Sequence, residues 1–268
     1  MEYIGEWLAL REDDGRAYIL QRVSGEVKIK GLGRFDPFQL LKGFSIGDRI
    51  QIGQKSLSIV KPTISEARRN MSRRAQVIGI KDSGFLISWM GIGVGSRVLE
   101  GGHGSGGLAM NLASVLGSSG TLISVESRPE HAEVGIKNME RLKEILPEFP
   151  NWIFHHGSLD EVNDLVMKTC DELDSIIIDI AEPWSVIDKI IPLLRMGGKI
   201  ACYCPTTSQL EKSWIKLDEH GLSIEWSGEV IERRWSIASK GGVRPSNTPI
   251  GHTAFIIIAT KINLYEEE

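Results

Sequence analysis

Apolar and polar positions follow two different rhythms along the chain. Over the first sixty residues the apolar runs are short and broken by turns. WLAL (7–10) and RAYIL (16–20) flank Asp14-Gly15, which predicts a hairpin. DRIQIG (48–53) and KSLSIVK (55–61) alternate at period two, as half-buried strands do. This region predicts a small β-rich domain, a barrel or sandwich, over 1–62. A basic helical connector is expected over 63–92. From Ser96 the rhythm becomes strand, turn, helix. The strands are SRVLEGG (96–102), TLISVES (121–127), NWIFHHG (151–157), LDSIIIDI (173–180) and GKIACYCP (198–205). The helices are SGGLAMNLASVLG (105–117), PEHAEVGIKNMERLKEIL (129–146), LDEVNDLVMKTC (159–170), PWSVIDKIIPLLR (183–195) and TSQLEKSWIKLDEHG (207–221). Five strand–helix pairs predict a parallel sheet with helices on both faces, over 93–268. Two further strand-like stretches, about 222–235 and 250–261, fit a terminal hairpin pairing antiparallel with the sheet edge.

Composition narrows the classes. The 268 residues are 41% hydrophobic and 25% charged, with a net charge of −4, which suits a soluble globular chain large enough to bury its own core. The longest apolar runs, residues 176–178 and 254–259, fall far short of the ~18 a membrane helix requires. The N-terminal stretch MEYIGEWLALREDD is acidic and polar, unlike a signal peptide. Cys170, Cys202 and Cys204 form no even framework, so reduced thiols and a cytoplasmic location are expected. His155-His156 lacks a third ligand at workable spacing, and no metal is expected. The charge is uneven. Residues 1–90 hold 15 Lys and Arg against 10 Asp and Glu, whereas the remainder holds 16 against 25. The basic excess is densest at Arg68, Arg69, Arg73 and Arg74. Such a cluster attracts phosphate backbones or forms a solvated face.

The sharpest motif is Glu100-Gly101-Gly102-His103-Gly104-Ser105-Gly106-Gly107, between the first strand and first helix of the sheet. Glycines permit a tight turn and a close backbone approach, and the helix N-terminus offers free N–H groups. The ligand is expected at the carboxyl ends of the strands. Gly102, Gly104 and Gly107 satisfy the dinucleotide pattern, so a nicotinamide cofactor and hydride transfer are one reading. Glu100 precedes them in the form Glu-x-Gly-x-Gly-Ser-Gly, which resembles the loop of S-adenosylmethionine-dependent methyltransferases. In those enzymes the acid lies near the cofactor's amino-acid end. Glu126, ending the second strand, would take both ribose hydroxyls with either cofactor. His131 could reach the adenine or lie on the surface. Ser158 stands where many methyltransferases carry an acid for the adenine amine. Asp179 ends the fourth strand beside the glycine loop, as a functional carboxylate or as a helix N-cap before Pro183. Trp184 stacks on a base or packs in the core.

The ordered set RRAQVIGIKDSGFLI (73–87), VLEGGHGSGGL (98–108), DIAEPW (179–184), Arg233-Arg234-Trp235, Val243-Arg244-Pro245 and Gly251-His252-Thr253-Ala254-Phe255 resembles the tRNA (adenine-58-N1)-methyltransferase family, in its archaeal and bacterial homo-oligomeric branch. The resemblance runs along nearly the whole chain and implies a Rossmann-like, seven-stranded α/β methyltransferase sheet with a small N-terminal β domain. It implies S-adenosylmethionine as donor, N1 of a T-loop adenine of tRNA as acceptor (position 58, and 57 in some archaeal relatives), and a homotetramer. The implied cofactor contacts are Gln76, Glu100, Gly102, Gly104, Ser105, Gly106, Gly107, Glu126, His131, Ser158 and Asp179. Asp179 is the implied catalytic residue. The implied tRNA contacts are Arg68, Arg69, Arg73, Arg74, Trp184, Arg244 and His252, the last two alternatively structural. The sequence departs from the family pattern in having Gly79-Ile80 for Tyr-Pro, Ala181 for the first proline of the fourth-strand motif, and Ser158 for aspartate. A methyltransferase-fold RNA-binding subunit without activity, and a methyltransferase for another substrate, are the alternatives.

Overall fold

A computed structural model of the chain describes residues 5–238, 241–246 and 251–263. Residues 1–4 of the polar N-terminal stretch, and Ile250, where the last strand is expected to begin, lie outside the described residues. The chain divides into two compact units, Met1–Arg73 with Lys137–Pro147, and Arg74–Ile136 with Glu148–Glu268.

The first unit is built on strands β1 (Trp7–Arg11), β2 (Ala17–Gln21), β3 (Val27–Ile29), β4 (Gly33–Phe35), β5 (Arg49–Ile52) and β6 (Lys55–Val60), with short helix α1 (Pro37–Leu40) and helix α2 (Ile64–Asn70). Four strands form an antiparallel sheet in the order β2-β1-β6-β5, and β3 pairs with β4 as a separate ribbon. The hairpin at Asp14-Gly15 forms as expected. Trp7 pairs with Gln21 and Arg11 with Ala17, and Gly15 takes the positive φ of +88° that the turn demands. Leu8, Leu10, Leu20, Ile50, Leu57 and Ile59 close the core of this unit. Thr63 and Glu66 form a reciprocal cap at the start of α2. At the other end of α2, Arg68 is only 4% exposed. Burial, with Arg73 nearby, pushes its guanidinium down to about 10. Arg69 is exposed and donates to the Gly15 carbonyl at 2.6 Å.

The second unit contains α3 (Ile80–Trp89), β7 (Arg97–Gly101), α4 (Gly107–Leu116), β8 (Thr121–Glu126), the first half of α5 (Pro129–Ile145, which from Lys137 onward belongs to the first unit), β9 (Asn151–His156), α6 (Asn163–Cys170), β10 (Leu173–Ile178), α7 (Ile187–Ile190), β11 (Leu194–Cys204), α8 (Thr207–Glu219), β12 (Ser223–Gly228), β13 (Trp235–Ile237), β14 (Val243–Pro245) and β15 (Phe255–Thr260). Its seven-stranded sheet has the order β12-β15-β11-β10-β7-β8-β9. Strands β7 to β11 are parallel, as the strand–helix alternation predicts. Ile123, Ile176, Ile178, Ile200 and Ile257 lie in the large buried core. Register sets the site. Gly101 pairs with Val125 and with Ile178, and Ile178 with Cys202. The residues just past these pairs, Gly102, Glu126 and Asp179, therefore emerge along one edge of the sheet, at the strands' carboxyl ends.

Three features differ from the sequence reading. The terminal hairpin does not sit wholly at the edge. β15 inserts between β11 and β12, antiparallel to both. Its Phe-Ile-Ile-Ile-Ala-Thr is buried on both faces, which suits an interior strand, while the half-exposed β12 takes the edge. The helix expected at 183–195 is broken into a 3-10 turn at Pro183–Ser185, the single turn α7, and a second 3-10 turn at Ile191–Leu193. Pro192 cannot donate a helical N–H and crowds the turn before it. The connector is helical only in α2 and α3. Between them, the Arg74 and Ala75 amides donate to the Ser105 hydroxyl at 3.0 and 3.1 Å, which takes these backbone donors out of any helix. Among the described residues, no helix is long and apolar enough to cross a membrane.

Candidate active site

The glycine loop is shaped by its contacts. Gly102, Gly104 and Gly106 have φ of +87°, +56° and +80°. A Cβ on Gly102 would stand 1.9 Å from the Asp179 carbonyl oxygen, so only glycine lets the ends of β7 and β10 approach this closely. The Gly102 and His103 amides both donate to the Val125 carbonyl at 3.0 Å, and the Gly104 amide donates to Glu126 Oε2 at 2.8 Å. The loop is thus tied to the end of β8.

A cleft of about 590 Å³ opens above this edge. Of the residues singled out from the sequence, Gln76, Gly102, Gly104, Glu126, His131, Ser158 and Asp179 line it. Glu100, Ser105, Gly106 and Gly107 do not. Glu100 is buried, and its carboxylate accepts from Ser124 Oγ at 2.9 Å and meets His103 Nδ1 at 3.0 Å. Ser105 is fully buried and spends its hydroxyl on the Arg74 and Ala75 amides. Gly107 packs on Val77, to which an added Cβ would come within 2.6 Å.

The cleft is acidic. Burial opposes charge on Glu126, but hydrogen bonds from Arg128 and Gly104 outweigh it and hold the carboxyl below its usual range. Arg128 supplies its amide at 3.0 Å, its Nε at 2.9 Å and its Nη2 at 3.2 Å. Asp179 goes the other way. Burial first, then the neighbouring Glu100 charge, push its carboxyl up to about 7, against the pull of Arg128. Such a pocket favours a ligand that brings positive charge. His131 adds a buried Nδ1 with no hydrogen-bond partner in the described structure. A glycine cradle, an unpartnered ring nitrogen and a group of carboxylates fit a cofactor with an adenine at one end and cationic groups at the other.

The expected tRNA contacts are dispersed. Arg73 and Arg74 are exposed, and so is Arg244 on β14. Trp184 is half-buried outside the cleft lining, with Lys212 Nζ 4.6 Å from its ring centre. His252 meets Glu229 Oε2 at 2.9 Å through Nδ1 and the Pro205 carbonyl at 3.1 Å through Nε2. Both partners are acceptors, so the doubly protonated ring satisfies them, and its pKa is raised above the ordinary histidine value. Pro205 itself lines the cleft.

Sequence reasoning missed Arg128, Glu182 and Gln209, which also line the cleft. Arg128 carries no motif signal. Gln209 does carry one, since Thr206-x-x-Gln209 is a capping-box pattern. The Lys-Asp pair of the 73–87 motif proves to be a buried junction. Lys81 Nζ donates to Asp82 Oδ1, the Val230 carbonyl and Thr253 Oγ1 at 2.6, 2.6 and 2.8 Å, and Tyr203 and Thr253 donate to Asp82 Oδ2.

A family model described as the tRNA methyltransferase complex GCD14 subunit matches residues 57–241. The chain is 33% identical to the tRNA (adenine(57)-N(1)/adenine(58)-N(1))-methyltransferase TrmI of Methanocaldococcus jannaschii, over 75% of this chain and 77% of that protein. It is 30% identical to the tRNA (adenine(58)-N(1))-methyltransferase TrmI of Thermus thermophilus, over 93% and 94%. Among solved structures, a SAM-dependent O-methyltransferase from Thermotoga maritima superposes with a TM-score of 0.77 at 27% identity, covering 99% and 96% of the two chains. TrmI from Aquifex aeolicus superposes with a TM-score of 0.72 at 20% identity, covering 98% and 99%, a likeness of fold. With most of its length matched in order, the chain belongs to the tRNA (adenine-N1)-methyltransferase family, whose fold is the seven-stranded methyltransferase sheet found here.

Proposed function

We propose that the protein methylates N1 of a T-loop adenine of tRNA, at position 58, using S-adenosylmethionine, with adenine 57 as a second acceptor to be tested. The reading is carried by one observation: Asp179 stands at the carboxyl end of β10, in the same cleft as Glu126 and the glycine loop. We assign 1–62 to the β module, 63–92 to the basic connector and 93–268 to the methyltransferase domain.

When bound, the cofactor supplies an electrophilic methyl group on a sulfonium. Gly102 and Gly104 would hold it through their backbone, His131 and Ser158 would bind its adenine, and Glu126 would accept from its ribose hydroxyls. Four N–H groups already bond to Glu126, three of them from Arg128, whose side chain is 53% exposed. The Arg128 guanidinium is therefore the group that gives way. Adenine N1 has an in-plane lone pair and needs no strong base. The residues must align N1 with the methyl carbon for in-line displacement. The methylated ring is cationic, and the Asp179 carboxylate stabilises that charge while accepting from the exocyclic amine. The target base must leave its stack, at a cost of a few kcal/mol that phosphate contacts offset. We assign these contacts to the exposed Arg73 and Arg74 rather than to the buried Arg68. The homotetramer and the cytoplasmic setting belong to the same reading. Trp235, Ile237 and Val243, each more than 60% exposed on the β13–β14 hairpin, are apolar surface that assembly would cover.

Calorimetry tests the cofactor assignment. Binding of S-adenosylmethionine, and none of NAD, is expected. NAD binding without S-adenosylmethionine binding would end this reading.

A further inference from the structure

Gln209 uses its two amide ends for two different tasks. Its Oε1 accepts from the Thr206 amide at 2.9 Å and from the Thr206 hydroxyl at 2.8 Å, while the Gln209 amide donates back to Thr206 Oγ1 at 3.3 Å. That is the reciprocal cap of α8. Its Nε2 donates 2.9 Å away to the Ala181 carbonyl, 28 residues earlier in the chain. A cap needs only the oxygen, and glutamate would serve as well as glutamine. The nitrogen does something the cap does not require.

The Ala181 carbonyl belongs to the loop that carries Asp179. The sheet holds this loop up to Asp179, whose amide donates to the Gly101 carbonyl at 2.8 Å. Beyond Asp179 the chain leaves β10, and the next turn is closed internally, with the Ser185 amide and hydroxyl both bonded to the Glu182 carbonyl at 3.1 and 2.7 Å. Ala181 lies between these two anchors and, with Glu182, forms the wall of the cleft next to Asp179; both are exposed. Ala181 leaves φ free where proline would restrict it. Ile180 is half-buried against the core, but Ala181 and Glu182 beyond it are exposed, and such an exposed link between strand and turn is mobile unless tied. The bond from Gln209 ties it to the N-terminus of α8.

We infer that Gln209 is a positioning residue, whose Nε2 straps the 180–182 wall of the cleft so that the acceptor base is presented to Asp179 in line with the methyl donor. This rests on the methyltransferase reading above. It names a separate requirement of that site: beyond Ile180, the acceptor wall is tied by α8 rather than by the sheet. The strap's hydrogen bonds involve neither the glycine loop nor Glu126. Its loss should therefore lower turnover and leave donor binding alone. A misplacement of about 1 Å costs up to ~10²-fold in rate.

Three variants separate the two tasks. Gln209→Glu keeps an oxygen for Thr206 and loses the donor to Ala181. Gln209→Met loses both without adding charge. Thr206→Ala weakens the cap and keeps the strap. Methylation of an unmodified tRNA transcript, calorimetry with S-adenosylhomocysteine and thermal unfolding are measured on each. Gln209→Glu is expected to lose about 10- to 100-fold in kcat with KM for tRNA and product affinity within about threefold, and to unfold with the wild type. Gln209→Met should lose kcat similarly and also unfold a few degrees lower, roughly 2–4 °C. Thr206→Ala should unfold lower and turn over within about twofold of wild type. Gln209→Glu with wild-type kcat, a kcat loss in Thr206→Ala equal to that of Gln209→Glu, or normal kcat in Gln209→Met would each overturn the strap. Wild-type protein that binds the donor and methylates no tRNA would instead overturn the functional reading on which it rests.

Discussion

Asp179 should show itself in the pH dependence of the reaction. Burial and the neighbouring carboxylates raise it to about 7 in the free protein. If the ionised form is the working one, kcat/KM for the donor should fall about tenfold per pH unit below about 7. A cation beside the carboxylate favours ionisation, so the corresponding fall in kcat should come at lower pH. Asp179→Ala should lose ~10²-fold or more in kcat if its charge stabilises the product ring. Stability carries the opposite signature. A carboxyl raised in the fold binds its proton more tightly there than in the unfolded chain. Its stabilising effect is present below about 4 and lost as pH rises through about 7. Asp179→Asn should therefore raise the unfolding temperature at pH 8, and the gain should shrink toward pH 4. A pH-independent gain would show that the carboxyl titrates normally. Asp179 and Glu126 could be read from the sequence because a carboxylate that ends a buried strand has few structural uses. The environment of Glu100 could not. Its carboxylate turns inward because Ser124 on the next strand and His103 in the loop offer hydrogen bonds there, and neither contact is written in the local spacing.

At the level of elements, the glycine loop and α5 form one joint. Gly135 lies inside α5, where replacing glycine by alanine ordinarily stabilises a helix by about 1 kcal/mol. Here a Cβ would stand 2.4 Å from the His103 ring and 2.7 Å from the Gly104 carbonyl oxygen. Gly135→Ala should instead destabilise the protein by about 1–3 kcal/mol and weaken S-adenosylmethionine binding, as denaturant unfolding and calorimetry would report. A stabilised variant with unchanged affinity would disprove the joint. The parallel core strands, their helices and the turn between β7 and α4 were legible from period, apolar runs and glycine placement. Strand order was not, because periodicity records which faces are buried and says nothing of which neighbour a strand takes. The insertion of β15 beside β11 rests on its burial on both faces, which shows only once the sheet is assembled. The break at Pro192 was legible in principle, since proline inside a helical pattern ends the helix near its predecessor. Arg128 and Gln209 act through side-chain geometry, and only the capping half of Gln209 leaves a trace in the sequence.

The whole molecule divides its charge, basic in the first 90 residues and acidic in the remainder, as a protein that holds a polyanion in one region and a cationic cofactor in another would. Reversing Arg73 and Arg74 to Glu should weaken tRNA binding and reduce the salt dependence of its log K by about 2, while calorimetry with S-adenosylmethionine is unchanged. An unaltered salt slope would make both a solvated face. The most direct test of the account follows the methyl group itself. An unmodified tRNA transcript is incubated with the protein and trideuteromethyl-labelled S-adenosylmethionine, digested with a base-specific nuclease, and the T-loop fragment is sequenced by mass spectrometry. Labelled N1-methyladenosine at position 58 is expected, formed ~10²-fold or more slowly in the Asp179→Ala reaction. Label on another base, or on another atom of that adenine, would contradict the account.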